Sequence, residues 1–167
     1  LDHPNIVKYL GADVTDKCLA IFMDYVGGGS LSSNLARFGA FSENMIRVYS
    51  RQILQGLVYL HSHNLLHRDI KCANILLDTV SGGKALVKLA DFGASRKIAD
   101  GIVSDQAHSF KGTSYFMAPE VVTGAGYDTS ADIWSFGCTL IEMATAHAPW
   151  SNKFTDPTQA MFMISQP

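Results

Sequence analysis

The sequence predicts an α+β fold, with strands near its start and in its middle and helices over much of the rest. Short apolar runs bounded by turn residues predict strands within residues 3–26 and 74–90. Apolar residues at steps of three and four predict a core-packed helix over 42–62. Residues 128–145 are apolar nearly all round, which is typical of a helix buried in the centre of a domain.

Composition excludes several classes of function. The chain has 167 residues, 47% hydrophobic, which suffices for one domain with a core, and a net charge of −2, which argues against nucleic acid as a principal partner. Its three cysteines show no C-x-x-C pair, so we expect no disulfide framework or zinc site and a reducing, cytoplasmic setting. No apolar run reaches membrane-spanning length, so no membrane insertion is expected. The chain has no initiator Met and is expected to be a fragment.

The first elements are two strands and a flexible exit. A turn signal at His3-Pro4 passes into an apolar–polar alternation that ends at Tyr9, and Leu19 to Val26 forms a second β-like run. The run Gly27-Gly28-Gly29 follows it. These glycines lack the spacing of a phosphate loop, and an ordinary linker is as good an interpretation as a functional hinge.

The next elements are a helix and a hairpin. Ser42 is the expected N-cap of the helix, and His61 and His63 near its end are interpreted as C-terminal charge complements or surface residues. Strands over 74–78 and 85–90 are expected to flank a turn at Ser81-Gly82-Gly83. Residues 94–117 lack periodicity and predict a long surface loop, and 160–164 predict a last helix.

Three ordered motifs carry the candidate chemistry. They are His67-Arg68-Asp69 with Asn74 five residues after the Asp, then Asp91-Phe92-Gly93, then Ala118-Pro119-Glu120. With Ile70 in place of the commoner Leu, they match the catalytic loop, metal-binding triplet and activation-segment end of protein kinases. The chain resembles a eukaryotic-type Ser/Thr protein kinase catalytic domain over essentially every residue.

The resemblance implies a two-lobed kinase-like fold in truncated form. Residues 1–26 would be the end of the small β lobe up to the hinge, and residues 27–167 most of the mainly helical large lobe. The segments 68–71, 112–120 and 157–162 look most like the MAP kinase kinase kinase group. ATP and Mg²⁺ are the implied cofactors, and a downstream MAP kinase kinase is the implied protein substrate. An upstream kinase or autophosphorylation would activate it.

The resemblance assigns catalytic and metal-binding roles to four polar residues. Asp69 would accept the proton of the substrate hydroxyl and orient that hydroxyl toward the γ-phosphate. Lys71 would neutralise charge on the phosphate, and its place two residues after Asp69 is usual in Ser/Thr kinases. Asn74 and Asp91 would hold Mg²⁺, which prefers oxygen ligands. Any one of these residues alone could instead cap a turn.

The resemblance also assigns nucleotide contacts. Met23 matches the gatekeeper at the back of the adenine pocket. The carbonyl of Asp24 and the backbone amide and carbonyl of Val26 match the groups that hydrogen-bond adenine. Leu76 would pack under the adenine ring.

Five further positions match structural residues of the family. Tyr9, His67 and Phe92 match a stack of side chains that aligns in active kinases. Asp132 matches the buried acid that holds the catalytic-loop backbone, and Glu120 matches an acid that pairs with an Arg. The first four, Tyr9, His67, Phe92 and Asp132, could equally be described as core residues.

Regulation is expected at the activation segment. A phosphate on this segment would pair with Arg68 through charge-assisted hydrogen bonds and order the loop. Ser109 is the first candidate phosphosite and Ser104 the second, and Ser109→Ala is expected to lower activity severalfold. Thr113 is expected to hydrogen-bond Asp69 and Lys71.

Some positions depart from the family pattern. Cys72 stands where relatives often have Gly or Pro, and is either a thiol near the substrate channel or, more simply, an inert small residue. Ala73 is not acidic, so no pocket for a basic substrate residue is expected. The sequence shows no Gly-rich loop and no strand Lys paired with a helix Glu, so the 167 residues alone are expected to bind ATP poorly and transfer no phosphate. A non-catalytic kinase-like interaction module is the alternative function.

Overall fold

The computed structural model describes residues 1–80, 84–98, 113–126 and 128–166. Strands dominate the first part and helices the rest. The strands are β1 (Tyr9–Val14), β2 (Leu19–Met23), β3 (Leu65–Leu66), β4 (Ile75–Val80), β5 (Lys84–Leu89) and β6 (Arg96–Lys97). The helices are α1 (Leu31–Phe38), α2 (Glu43–Ser62), α3 (Pro119–Thr123), α4 (Ser130–Thr145) and α5 (Pro157–Ile164), with short 3₁₀ turns at Cys72–Asn74, Phe92–Ala94 and Ser114–Phe116.

Among the described residues the strands pair in three two-stranded antiparallel sheets, β1 with β2, β3 with β6, and β4 with β5. The first strand starts later than the alternation predicts, because residues 5–7 form hydrogen bonds with the end of β5 in the core. There Val7 N donates to Leu89 O at 2.9 Å and Leu89 N donates to Asn5 O at 2.9 Å. Ile6 is buried between these contacts. The β1–β2 hairpin beyond them is exposed on both faces.

The three glycines after β2 form a defined segment, so their interpretation as a flexible exit is wrong. Gly28 N donates to Leu77 O at 2.9 Å, and Leu77 N donates to Gly29 O at 2.8 Å. Gly29 has a φ of +72°, which a residue with a side chain rarely adopts. Ser30 then caps α1, a short helix that the sequence analysis missed.

The long helix α2 follows its prediction closely. Ser42 is its N-cap, with the hydroxyl accepting from Met45 N at 3.4 Å. The buried side carries the predicted apolar stripe, and Gly56 on that side allows close contact with β5. A Cβ added there would lie 2.9 Å from a Leu89 methyl carbon. The helix therefore packs directly on the strand that leads to Asp91.

Helix α4 is only partly buried, so the prediction of burial all round is wrong. Phe136 and Met143 belong to the main hydrophobic cluster, whereas Ile133 and Ile141 are 48% and 46% exposed. The inner face of α4 packs against α2 and the 3₁₀ turn at Cys72–Asn74. Within the described ranges, no helix is both long enough and apolar enough to cross a membrane.

Candidate active site

The loop between β3 and the 3₁₀ turn carries the first candidate residues. The short pairing of β3 with β6 sets Leu66 opposite Arg96 and brings this loop beside the segment that follows Asp91. Arg68 and Asp91 both have left-handed backbone, with φ of +70° and +62°. Such backbone in residues other than Gly persists only where surrounding contacts fix it.

Asp132, in the first turn of α4, supplies those contacts for the loop. Its carboxylate is 1% exposed and accepts from His67 N at 3.0 Å and from Arg68 N at 2.9 Å. His61 Nε2 lies 2.8 Å from the same carboxylate. The place of His61 as a basic residue in the last turn of α2 is as expected, whereas its interpretation as a plain surface residue is therefore wrong. Its position four residues after Leu57, on the buried side of α2, is the signal that could have shown this.

Asp69 is held by four hydrogen bonds from its own chain. Oδ1 accepts from Thr113 N and Thr113 Oγ1, both at 3.1 Å. Oδ2 accepts from Asn74 Nδ2 at 2.7 Å and forms an ion pair with Lys71 Nζ at 2.8 Å. A carboxylate has about four acceptor positions, and all are in use. Burial alone would raise the pKa of Asp69, but Lys71, Asn74 and Thr113 together lower it below its ordinary value.

Thr113 connects the activation segment to this loop. Its hydroxyl accepts a hydrogen bond from Lys71 Nζ and donates one to Asp69. These are the hydrogen bonds that the sequence analysis expects of Thr113. The arrangement places a hydroxyl of the protein itself between the candidate base and the candidate phosphate-binding cation.

His67 is fully buried and joins the two motifs. Burial lowers its pKa despite the opposing influence of nearby Asp132, so the ring is neutral at pH 7. A neutral ring with a proton on Nε2 donates to Ala90 O at 3.0 Å. The ring centroids of His67 and Phe92 lie 5.1 Å apart. Tyr9, the third member of the expected stack, is 57% exposed and shows no ring contact with them among the described residues.

Asn74 and Asp91 lie at the same end of the paired strands β4 and β5, Asn74 just before β4 begins and Asp91 just after β5 has ended. Ala90 N donates to Asn74 O at 2.9 Å, which fixes this adjacency. The Asn74 amide group donates to Asp69 O and Oδ2, and within the described ranges its Oδ1 accepts no hydrogen bond. Asp91 is exposed, with Oδ1 accepting from Gly93 N at 3.2 Å. One amide oxygen and one carboxylate suit Mg²⁺, which takes few protein ligands and completes its shell with water and phosphate.

The expected adenine contacts lie in the segment after β2. Asp24 and Val26 are partly buried. Asp24 O, Val26 N and Val26 O make no hydrogen bond to any other described residue, so these groups suit the edge of a base. Leu76 is partly buried on β4, whereas Met23, the last residue of β2, is 54% exposed.

Comparison with known proteins decides the family. A family model described as "Protein kinase domain" matches residues 1–166. This chain belongs to the protein kinase domain family. The expected kinase-like α+β fold is thereby confirmed.

The kinase domain is similar to several named relatives. It is 53% identical over 165 residues to mitogen-activated protein kinase kinase kinase A of Dictyostelium discoideum, covering 99% of this chain and 17% of that protein. It is 52% identical over 164 residues to mitogen-activated protein kinase kinase kinase ANP1 of Arabidopsis thaliana, covering 98% and 24%. It is 47% identical over 154 residues to human mitogen-activated protein kinase kinase kinase 3, covering 90% and 24%. The chain thus spans about a fifth of the length of these relatives.

The candidate phosphosites of the kinase domain, Ser104 and Ser109, lie outside the described residues. Glu120 accepts a long hydrogen bond of 3.4 Å from Ser130 Oγ. Cys72 is fully buried, and burial followed by the nearby Glu142 carboxylate raises the pKa of its thiol, so this cysteine is inert at neutral pH.

Glu142 is a residue of the kinase domain that the sequence analysis did not identify. Its Oε2 accepts from Cys72 N at 2.9 Å. The contact joins residues 70 positions apart, and no local pattern in the sequence indicates it. Knowledge of which face of α4 lies under the catalytic loop would have been needed to find it.

Proposed function

We propose that this chain is the catalytic part of an ATP-dependent protein serine/threonine kinase that transfers the γ-phosphate of ATP to a protein hydroxyl. The observation that supports it best is the cluster around Asp69, where Lys71, Asn74 and Thr113 converge on one carboxylate. An interaction module has no physical need of such a cluster. Phosphoryl transfer needs it, because the reaction depends on positioning and charge stabilisation.

The residues have distinct tasks in this proposal. Asp69 orients the attacking hydroxyl and accepts its proton. Its lowered pKa makes it a weak base, so orientation is its larger contribution. Lys71 stabilises negative charge on the transferred phosphate. Mg²⁺, held by Asn74 Oδ1 and Asp91, would neutralise the charge of the nucleotide phosphates.

Nucleotide binding follows from the segment after β2. The backbone groups of Asp24 and Val26 hydrogen-bond adenine, and Leu76 packs against its ring. Met23 is the proposed gatekeeper. In this arrangement residues 1–26 are the end of the small lobe and residues 27–167 belong to the large lobe.

We further propose that the parent protein is a MAP kinase kinase kinase. The names of its relatives support this, as does identity near 50% over almost the whole chain. A MAP kinase kinase is then the protein substrate, and an upstream kinase or autophosphorylation supplies a phosphate at Ser109 or Ser104 that pairs with Arg68. The cytoplasmic location stays a prediction.

The test uses the full-length protein with labelled ATP, Mg²⁺ and a catalytically inactive MAP kinase kinase as phosphate acceptor. Label transfer is expected, and Asp69→Asn should reduce it by roughly a hundredfold or more. Asp13→Asn, at an exposed position on β1, removes a carboxylate away from the cluster and should change nothing. Binding of the acceptor without transfer would instead favour the interaction module.

A further inference from the structure

Helix α4 touches the catalytic loop at two points, and only the first belongs to the expected pattern. Asp132 near its start holds His67 N and Arg68 N. Glu142, ten residues later and about 15 Å along the helix, holds Cys72 N. Asp69 and Lys71 lie between these two attachment points. Both ends of the loop are therefore bound by carboxylates of one helix.

The backbone around Cys72 explains why Glu142 is needed there. Lys71 is extended, with φ −167° and ψ 163°, and the 3₁₀ turn begins at Cys72. The first N–H of such a turn has no acceptor within the turn itself. Glu142 supplies one, and a hydrogen bond to a carboxylate is stronger than one between neutral groups.

Hydrogen bonds fix the turn at Cys72–Asn74 in position relative to the candidate catalytic groups. Asn74 N donates to Lys71 O at 3.0 Å, so Lys71 and Asn74 are fixed relative to each other. Both side chains then reach Asp69. Ile70 is fully buried in the same hydrophobic cluster as Phe136 of α4, which seats the middle of the loop on the helix.

We propose that Glu142 is a positioning residue for phosphoryl transfer: its carboxylate holds Cys72 N and thereby fixes Lys71 and Asn74 against Asp69. This rests on the proposed kinase function. Glu142 touches neither nucleotide nor substrate in this role. Its effect is on the alignment of the loop, and it should appear in kcat rather than in the KM for ATP.

A substitution at Cys72 can remove the donor of this hydrogen bond while the acceptor, Glu142, stays in place. In Cys72→Pro the backbone N–H is absent. Proline is well accepted at the first position of a helical turn, and the extended Lys71 already has the conformation required before proline. Glu142→Ala removes the acceptor, and Glu142→Gln keeps an acceptor oxygen of the same reach.

The experiment measures kcat and the KM for ATP in the full-length protein for Glu142→Ala, Glu142→Gln, Cys72→Pro and Cys72→Pro/Glu142→Ala. Glu142→Ala should lower kcat roughly tenfold with an unchanged KM for ATP, and Glu142→Gln should restore most of it. In the Cys72→Pro background, Glu142→Ala should have no further effect on kcat. Glu43→Ala, which removes an exposed carboxylate on α2, serves as the matched control.

Two kinetic results would overturn the proposal. One is an equal loss of kcat from Glu142→Ala with and without the Cys72 N–H, and the other is failure of Glu142→Gln to restore activity. Hydrogen exchange gives a readout independent of activity, since the Cys72 amide should be protected in the wild type and exchange faster in Glu142→Ala. Unchanged protection would also reject the proposal. A wild-type protein that transfers no phosphate yet protects this amide would reject the kinase function and leave the contact intact.

Discussion

At the scale of single residues, the saturation of Asp69 sets a condition on substrate binding. Its acceptor positions are taken by Thr113, Asn74 and Lys71. A substrate hydroxyl that donates to Asp69 must share or replace one of these donors. The Thr113 hydroxyl is chemically the same group as the substrate's, and it sits on a segment distinct from the loop.

Thr113 variants test this arrangement. Thr113→Ser keeps the hydroxyl and should leave kcat within about twofold of the wild type. Thr113→Val loses the hydroxyl's bonds to Asp69 and Lys71 and keeps only the backbone N–H bond to Asp69, so it should lower kcat roughly tenfold. Thr123→Val, at an exposed position on α3, is the matched control. The measurement is the steady-state kcat of phosphate transfer for each variant. Equal activity of the Val and Ser variants would mean that the hydroxyl is dispensable.

The buried His67 should make stability depend on pH. Because burial lowers its folded-state pKa, the stability it contributes is full above its unfolded pKa of about 6.5 and is lost as pH falls toward the folded value. The free energy of unfolding in urea should therefore drop between pH 7 and pH 5. His67→Tyr, whose ring does not titrate in that range, should show a shallower drop. Identical slopes for the two proteins would contradict the assignment of the drop to His67.

Gly28 lies where the backbone after β2 leaves no room for a side chain. A Cβ there would lie 2.3 Å from Leu77 O, closer than any real contact. Gly28→Ala should thus lower the free energy of unfolding by roughly 1–3 kcal/mol. Gly11→Ala is the control, since a Cβ at Gly11 meets nothing within 4 Å. Equal urea midpoints for the two variants would show that the segment can move away from β4.

At the scale of elements, helix α2 and the strands β4 and β5 were predictable because their periodicity is set by local burial. Helix α1 was missed because its eight residues follow the glycines, whose fixed conformation depends on Leu77 in a distant strand. The motif residues Asp69, Asn74 and Asp91 were identifiable because their motifs and spacing resemble those of protein kinases. The spacing of His61 from Leu57 indicates that it lies on the buried side of α2, but its contact with Asp132 and the role of Glu142 arise only when α2 and α4 pack.

Because Asp132 of α4 accepts two hydrogen bonds from the loop, a conservative substitution of Asp132 should lower the free energy of unfolding markedly. Asp132→Asn keeps the size of the side chain but replaces one acceptor oxygen with an amide NH₂ group. One of the two backbone N–H groups that donate to Asp132 then faces a donor and loses its acceptor. The free energy of unfolding should fall by roughly 2–4 kcal/mol. Asp128→Asn is the control, because its exposed side chain accepts from Ser130 N at the start of α4 and an Asn side-chain oxygen can accept the same bond. A smaller loss at Asp132 than at Asp128 would contradict this account of the loop.

At the scale of the whole molecule, burial is uneven. The sheet of β4 and β5 lies in the main cluster through Ile75, Val87 and Leu89, whereas the β1–β2 hairpin exposes both faces. The two hairpins should therefore differ in local stability. Two short segments connect the exposed hairpin to the core: residues 5–7 before β1, which bond to Leu89, and Gly28 and Gly29 after β2, which bond to Leu77.

Hydrogen exchange by mass spectrometry on the 167-residue chain should show this difference. Peptides from β1 and β2 should exchange roughly tenfold faster or more than peptides from β4 and β5, because few buried contacts oppose their opening. The α2 peptides provide an internal reference for a packed element. Equal protection of the two hairpins would mean that opening of the chain is global.

The double attachment of the catalytic loop to α4 also limits how this protein can change in length. Arg68 and Cys72 are tied to carboxylates on a single rigid helix, so the three residues between them must bridge a fixed span. An insertion or deletion there cannot be absorbed by sliding one end, as it can in a surface turn. Variation in this region is therefore confined to side chains, and the number of residues between the two ties is a constant of the fold.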